Sequence, residues 1–110
     1  MDYRRSHRYD LTLPVHYQAS IKGASPHAGT SVTCDMSTGG ISFRCRRPLP
    51  VGAHAELVIE WPALYADLYP IDVQVTGFVV RSDPGKTAVS ISSLRFRTCA
   101  APAEPWRASA

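Results

Sequence analysis

Val32-Thr33-Cys34-Asp35-Met36-Ser37-Thr38-Gly39-Gly40-Ile41-Ser42-Phe43-Arg44-Cys45 carries two short apolar-alternating runs around one turn. Asp35 and Ser37 bond readily to nearby backbone groups and Gly39-Gly40 admits positive φ, so Asp35 to Gly40 reads as a turn. Beyond it, Ile41, Phe43 and Cys45 alternate with Ser42, Arg44 and Arg46, the period of a half-buried strand. Before it, Val32 and Cys34 close another short strand. The stretch is a β-hairpin, and the flanking sequence keeps the same period.

On the N-terminal side, Leu11, Leu13, Val15, Tyr17 and Ala19 alternate with Thr12, Pro14, His16 and Gln18. Pro14 lacks an N–H, which predicts a sheet edge or an unpaired position there. Residues 21–29, with Gly, Ser and Pro, read as a loop. On the C-terminal side, Arg46 to Gly52 is a connection, and Ala55, Leu57, Ile59 and Trp61 mark a further strand. Pro62 to Pro70, with Leu64, Tyr65, Leu68 and Tyr69, is compatible with a helical turn or a wide loop. Ile71, Val73, Val75, Gly77 and Val79 follow, with Phe78 and Val80 predicting cover on the other face as well. Ser82-Asp83-Pro84-Gly85 is a turn. Val89 and Ile91 start a last strand, whose apolar parity shifts at Leu94 and Phe96, the mark of a bulge or bend. Past Cys99 the chain is rich in Ala and Pro and reads as a short frayed tail, with Trp106 its one candidate for docking back. Six short strands without a long helix point to an all-β barrel or sandwich.

Bulk properties bound the function. The 110 residues suffice for one modest core and not two. With 45% hydrophobic and 19% charged residues the chain is globular. It has no apolar run long enough for a membrane helix and its N-terminus does not read as a secretory signal, so a cytoplasmic location without membrane insertion is expected. Three cysteines without C-x-x-C spacing argue against a disulfide framework or a zinc knuckle, and Cys34 and Cys45 read as small core residues. A net charge of +3 favours an anionic partner.

Two motifs stand out: Arg4-x-x-x-Arg8 just before the first strand, and Asp35-x-Ser37-x-x-Gly40 in the hairpin turn. Each alone is weak, since a basic N-terminus is commonly a solvated one and such a turn is commonly structural. Their order, on either side of one strand in an all-β chain of this size, resembles the PilZ family signature of R-x-x-x-R followed by D/N-x-S-x-x-G. Leu11-Thr12-Leu13-Pro14-Val15, Gly40-Ile41-Ser42-Phe43, Pro50-Val51-Gly52 and Gly77-Phe78-Val79-Val80-Arg81 extend the resemblance over residues 4–97. It implies a six-stranded antiparallel barrel that binds cyclic diguanylate. It further implies a PilZ domain over residues 1–99, with residues 1–9 a flexible ligand-clamping segment and residues 100–110 a tail.

The residue chemistry suits that ligand, which carries two phosphodiesters and two guanines. Arg4 and Arg8 by resemblance clamp phosphates and the guanine Hoogsteen edge, and Arg5 adds stacking or charge. Asp35, an acceptor only, fits the N1–H and exocyclic amine of guanine. Ser37 can donate to the ligand or brace the turn, and Gly39 and Gly40 let backbone N–H groups approach closely. Arg81, at the end of the fifth strand, is a further candidate contact, beside the reading of a solvated strand end. Arg44, Arg46 and Arg47 read as a solvated face, and His7, His16, His27 and His54 as surface residues without metal spacing. Tyr65, Tyr69 and Trp61 read as packing.

The leading expectation is a cyclic diguanylate receptor, monomeric or weakly dimeric. It needs no cofactor or metal, does not bind nucleic acid, and acts on a separate effector protein. Family outputs include motility, exopolysaccharide synthesis and virulence. The alternative is a PilZ-like adaptor that binds protein only. A nucleic-acid-binding barrel usually carries aromatics interleaved with basic residues on its binding strands, whereas here the aromatics are few and mostly at apolar strand positions. An enzyme is the weakest reading, since no catalytic constellation appears.

Overall fold

The computed structural model describes residues 9–23 and 26–98; Arg4, Arg5, Arg8 and the tail beyond Thr98 lie outside them. Seven strands follow one another: β1 (Tyr9–Asp10), β2 (Pro14–Ser20), β3 (His27–Met36), β4 (Gly40–Cys45), β5 (His54–Tyr65), β6 (Tyr69–Asp83) and β7 (Gly85–Thr98). The pairings are antiparallel, in the order β1-β3-β2-β5-β6-β7-β4, and β3 also pairs with β4. Strands β2 to β7 therefore close into a six-stranded barrel, and β1 is an addition beside β3. No helix occurs among the described residues.

The period-two pattern explains the closure. Val15 and Ala19 of β2, Ile41, Phe43 and Cys45 of β4, Leu57 and Ile59 of β5, Val73, Val75 and Val79 of β6 and Val89 of β7 fill the interior. Phe43, Leu57 and Ile59 are the largest fully buried side chains. Each such burial contributes about 1.5–3 kcal/mol. Tyr17 packs its ring on Phe43 with centroids 5.0 Å apart.

Several expectations are settled or need correction. For Pro14 the second of its two alternatives holds: β2 lies between β3 and β5 and is no edge, but Pro14 opens it at a position without a partner on β5, where a missing N–H costs no ladder bond. The parity expected for β3 is reversed at its end. Thr33 is the buried residue, while Val32 and Cys34 are half-buried and the register slips between Thr33 and Asp35. Thr33 turns inward because the chain leaves the ladder between β1 and β2. Its hydroxyl accepts from Leu13 N–H at 2.9 Å and donates to the Leu11 carbonyl, bonds that a strand would otherwise supply.

Pro62–Pro70 is neither a helical turn nor a wide loop. β5 runs on to Tyr65, and Tyr65 to Leu68 is a tight hairpin turn with Ala66 and Asp67 at φ 54° and 57°, closed by Leu68 N–H on Tyr65 C=O at 3.0 Å. Two successive positive φ values give the handedness that matches strand twist. Tyr65, read as packing, is 60% exposed beside it. Phe78 and Val80 are exposed rather than covered. The parity shift in the last strand is real: Thr76 pairs with Ser93 and Gly77 with Ile91, so Ser92 is the extra residue.

Candidate functional site

The Asp35–Gly40 turn lies at the mouth of the β3–β4 hairpin. Ser37 N–H donates to Gly40 C=O at 2.8 Å, and the Ser37 hydroxyl lies 3.4 Å from the same oxygen. Ile91 N–H donates to Gly39 C=O at 3.0 Å and ties the turn to β7. Neither Gly39 nor Gly40 has positive φ, contrary to the expectation for this turn. The need for glycine at 40 is proximity: a Cβ there would stand 3.3 Å from Val89 O.

Register brings the site together. Asp10 pairs with Asp35, Asp35 with Ser42, Ser42 with Ala88 and Ala88 with Arg81. Directly opposed residues share a face, so these five form one row across the outside of the barrel. Arg81 joins it because the register slips between Val79 and Arg81, leaving Val80 as the bulged residue. Gly40 and Ser90 form the next row. Small residues at Gly40, Ser42, Ala88 and Ser90 make the floor, and Asp35, Val80, Arg81 and Lys86 make the rim. Two hollows of about 160 and 150 Å³ share Ser42 and Ala88, the first bounded by Asp35, Ser37, Gly39 and Gly40 and the second by Arg81 and Lys86.

The charges in the groove are engaged but releasable. Lys86 Nζ stands 3.6 Å from Asp35 Oδ2. Arg81 Nε stands 3.1 Å from Asp83 Oδ2, with both side chains more than half exposed. A pair so solvated is worth less than about 1 kcal/mol, so Arg81 can turn to an incoming anion at little cost. The buried Ser42 hydroxyl has no hydrogen-bond partner among the described residues. An orphaned hydroxyl costs about 1–3 kcal/mol in a folded protein and marks a place where a polar ligand atom would be welcome.

Of the residues singled out from the sequence, Asp35, Ser37, Gly39, Gly40 and Arg81 thus border one groove. Arg4, Arg5 and Arg8 lie outside the described residues, but the strand that follows them is fixed: Tyr9 pairs with Met36 and Asp10 with Asp35. Ser42, Lys86, Ala88 and Ser90 were missed. The signal available for three of them was size: Ser42, Ala88 and Ser90 stand at outward strand positions that usually carry longer polar side chains.

A larger cavity, about 450 Å³, lies lower on the same seam. There β3 and β4 have parted, and Tyr17, Thr30, Ser31, Arg44, Cys45 and Arg46 line it. It shares no residue with the groove, and none of the motif residues reaches it. No cluster of metal-ligating side chains occurs among the described residues, and no described helix is long and apolar enough to cross a membrane.

Among curated proteins no sequence matches this chain. Solved structures do. The Bacillus subtilis inhibitor of motility, MotI/DgrA, superposes with a TM-score of 0.64 at 20% identity, over 84% of this chain and 44% of that one, so this chain spans less than half its length. The PilZ domain of CeSA from a cellulose-synthesizing bacterium superposes with a TM-score of 0.58 at 20% identity, over 79% and 81% of the two chains. These likenesses establish the barrel. The sequence model of the PilZ domain matches residues 2–102. With that match over nearly its whole length, and the barrel its strands close into, the chain belongs to the PilZ domain family.

Proposed function

We propose that this chain is a cyclic diguanylate receptor that changes its surface on binding and so regulates a partner protein. The ligand lies on the outer groove of β3, β4, β7 and β6. Asp35 accepts from the guanine N1–H and amine, and Arg81 closes the other end of the row against a phosphate or a base edge. Ser37 holds the turn in shape, and Gly39 and Gly40 leave its backbone approachable. At about 160 and 150 Å³ the hollows are too small to enclose a cyclic dinucleotide, so cover must come from outside the barrel, and Arg4, Arg5 and Arg8 supply it from the segment before β1. The domain then comprises residues 1–99, with residues 1–9 as the clamp and 100–110 as a tail. It carries no catalytic constellation in the groove, acts in the cytoplasm, and is a monomer or weak dimer.

One observation carries the reading. β1 pairs with the end of β3, so the residue after Arg8 stands beside Met36 and its neighbour beside Asp35. The chain that follows the arginine motif is thereby held beside the Asp35 turn, which supports assigning both motifs to one ligand. A ligand bridging them would hold the arginine segment over the groove and so give a partner a different surface. MotI/DgrA is an inhibitor of motility, and a motility output is one of those open to this chain.

Titration calorimetry of the untagged chain with cyclic diguanylate tests this, with Arg8→Ala and Asp35→Ala beside it and GTP as competitor. Saturable binding at micromolar or lower concentration is expected, lost in both variants and unaffected by GTP. A folded wild-type chain that takes up no ligand would refute the receptor reading and leave an adaptor that binds protein only.

A further inference from the structure

β7 runs past its neighbour. β4 pairs with it only from Gly85 to Ser90. Ile91 N–H still bonds to Gly39 C=O, but from Ser92 to Thr98 the strand pairs with β6 and with no other described strand, so its second edge is open among the described residues. An open edge is a row of backbone donors and acceptors at strand spacing, the template for adding another strand.

The two faces of this edge differ sharply. Leu94 and Phe96 lie opposite Val75 and Val73, on the core-facing side, yet they are 39% and 60% exposed. Phe96 meets the edge of Trp61 at a ring-centroid distance of 5.5 Å and an interplanar angle of 88°. On the other face, Arg95 donates to Gln74 Oε1 at 2.9 Å, and Arg97 stands 3.7 Å from Asp72 Oδ2. Apolar and cationic positions thus alternate along one strand with a single partner.

We propose that the Ser92–Thr98 edge of β7 is a docking strand for an extended segment of a partner protein in which apolar residues alternate with acidic ones. Main-chain bonds to the edge supply the register. The partner's apolar side chains extend the Leu94–Phe96–Trp61 surface, and its carboxylates meet Arg95 and Arg97. A second copy of this chain fits poorly, because pairing two such edges sets arginine beside arginine on one face. The position also couples the two halves of β7: Ala88 and Ser90 floor the groove and Ile91 holds the Gly39 carbonyl, directly before the open edge begins.

The test uses the full ¹⁵N-labelled chain and a blocked octapeptide of alternating Val and Glu, beside its Val and Lys counterpart. Expected are amide shifts and slowed exchange confined to Ser92–Thr98, with the Glu peptide binding at least fivefold more tightly than the Lys peptide. Arg95→Glu, an exposed change, should reverse that preference, and Phe96→Ser should weaken the Glu peptide at least fivefold. Equal binding of the two peptides, or shifts elsewhere or nowhere, would overturn the proposal. So would edge amides already protected in the free chain, because its own residues would then occupy the edge. Concentration-dependent shifts of the same amides without peptide would assign the edge to self-association instead, and overturn it too.

Discussion

Gly77 gives the most stringent test of the barrel's geometry. A Cβ built there would lie 1.8 Å from Ser90 O and 2.9 Å from Ser90 C, both backbone atoms, and 3.1 Å from Val89 Cγ1. Restoring even a 3.0 Å contact requires β6 and β7 to part by about 1.2 Å, the difference between 3.0 and 1.8. That movement strains the ladder at Gly77–Ile91 and Phe78–Ser90, each bond worth about 0.5–1.5 kcal/mol, and loosens Val79 and Val89 in the core. Gly77→Ala should therefore destabilise the domain by about 3–5 kcal/mol, a large part of the 5–15 kcal/mol typical of a domain. Gly39 supplies the contrast. Nothing lies within 4 Å of its Cβ position and its φ is not positive. Gly39→Ala should be neutral or stabilising by up to about 1 kcal/mol, since it mainly restricts the unfolded chain. Gly40→Ala, 3.3 Å from Val89 O, should fall between the two. Urea unfolding at 25 °C, followed by tryptophan fluorescence and circular dichroism, measures the series. If Gly77→Ala lies within 1 kcal/mol of Gly39→Ala, the described approach of β6 to β7 is wrong.

Thr33→Val keeps the shape of a buried side chain but orphans Leu13 N–H and the Leu11 carbonyl, so it should cost about 2–4 kcal/mol in the same assay. Ser42→Ala should separate stability from function. Removing an unpartnered hydroxyl should leave unfolding unchanged or stabilised by up to about 1 kcal/mol, while calorimetry shows weaker cyclic diguanylate binding, by about 1 kcal/mol or fivefold. Tyr17 supplies a pH signature. Burial, followed by its contact with Cys45, raises its phenol pKa above the ordinary tyrosine value of 10.0. The folded state then holds the proton more tightly than the unfolded chain. The resulting stability is fully present below pH 10 and is lost as pH rises towards the folded-state pKa. Urea midpoints compared at pH 9 and pH 10.5 should show that fall, and Tyr17→Phe should reduce it.

Strand-level structure was legible because burial on one face leaves a period-two trace that survives in β2, β4, β5 and β6. The trace failed where a polar residue had a reason to be inside. Thr33 looks outward by composition, yet it repairs the break between β1 and β2, which no local pattern announces. The β5–β6 hairpin was hidden by Pro62 and by a turn built from Ala66 and Asp67 instead of Asn and Gly. At the candidate site, the turn motif named Asp35, Ser37 and Gly40, with Gly39 beside them, and the family resemblance added Arg81; register brings all five to the border of one groove. Ser42 and Lys86 reach the groove only through register across β3, β4 and β7, and register is a property of pairing between distant segments. The bulge at Val80 that turns Arg81 onto the groove face is likewise invisible until β7 is laid beside β6.

The β3–β4 seam has a consequence for how the barrel breathes. Only Thr33, Asp35 and Met36 of β3 find partners on β4, and below them the two strands part to leave the 450 Å³ cavity. Every other junction of the ring is longer. A ring opens first at its shortest junction, so sub-global opening should unzip Ile41–Phe43 from β3 well before β5, β6 and β7 separate. The residues that flank this junction are those of the Asp35–Gly40 turn. A ligand held there would act as a clasp on the domain, and its occupancy would be written into the exchange rates of amides that it never touches.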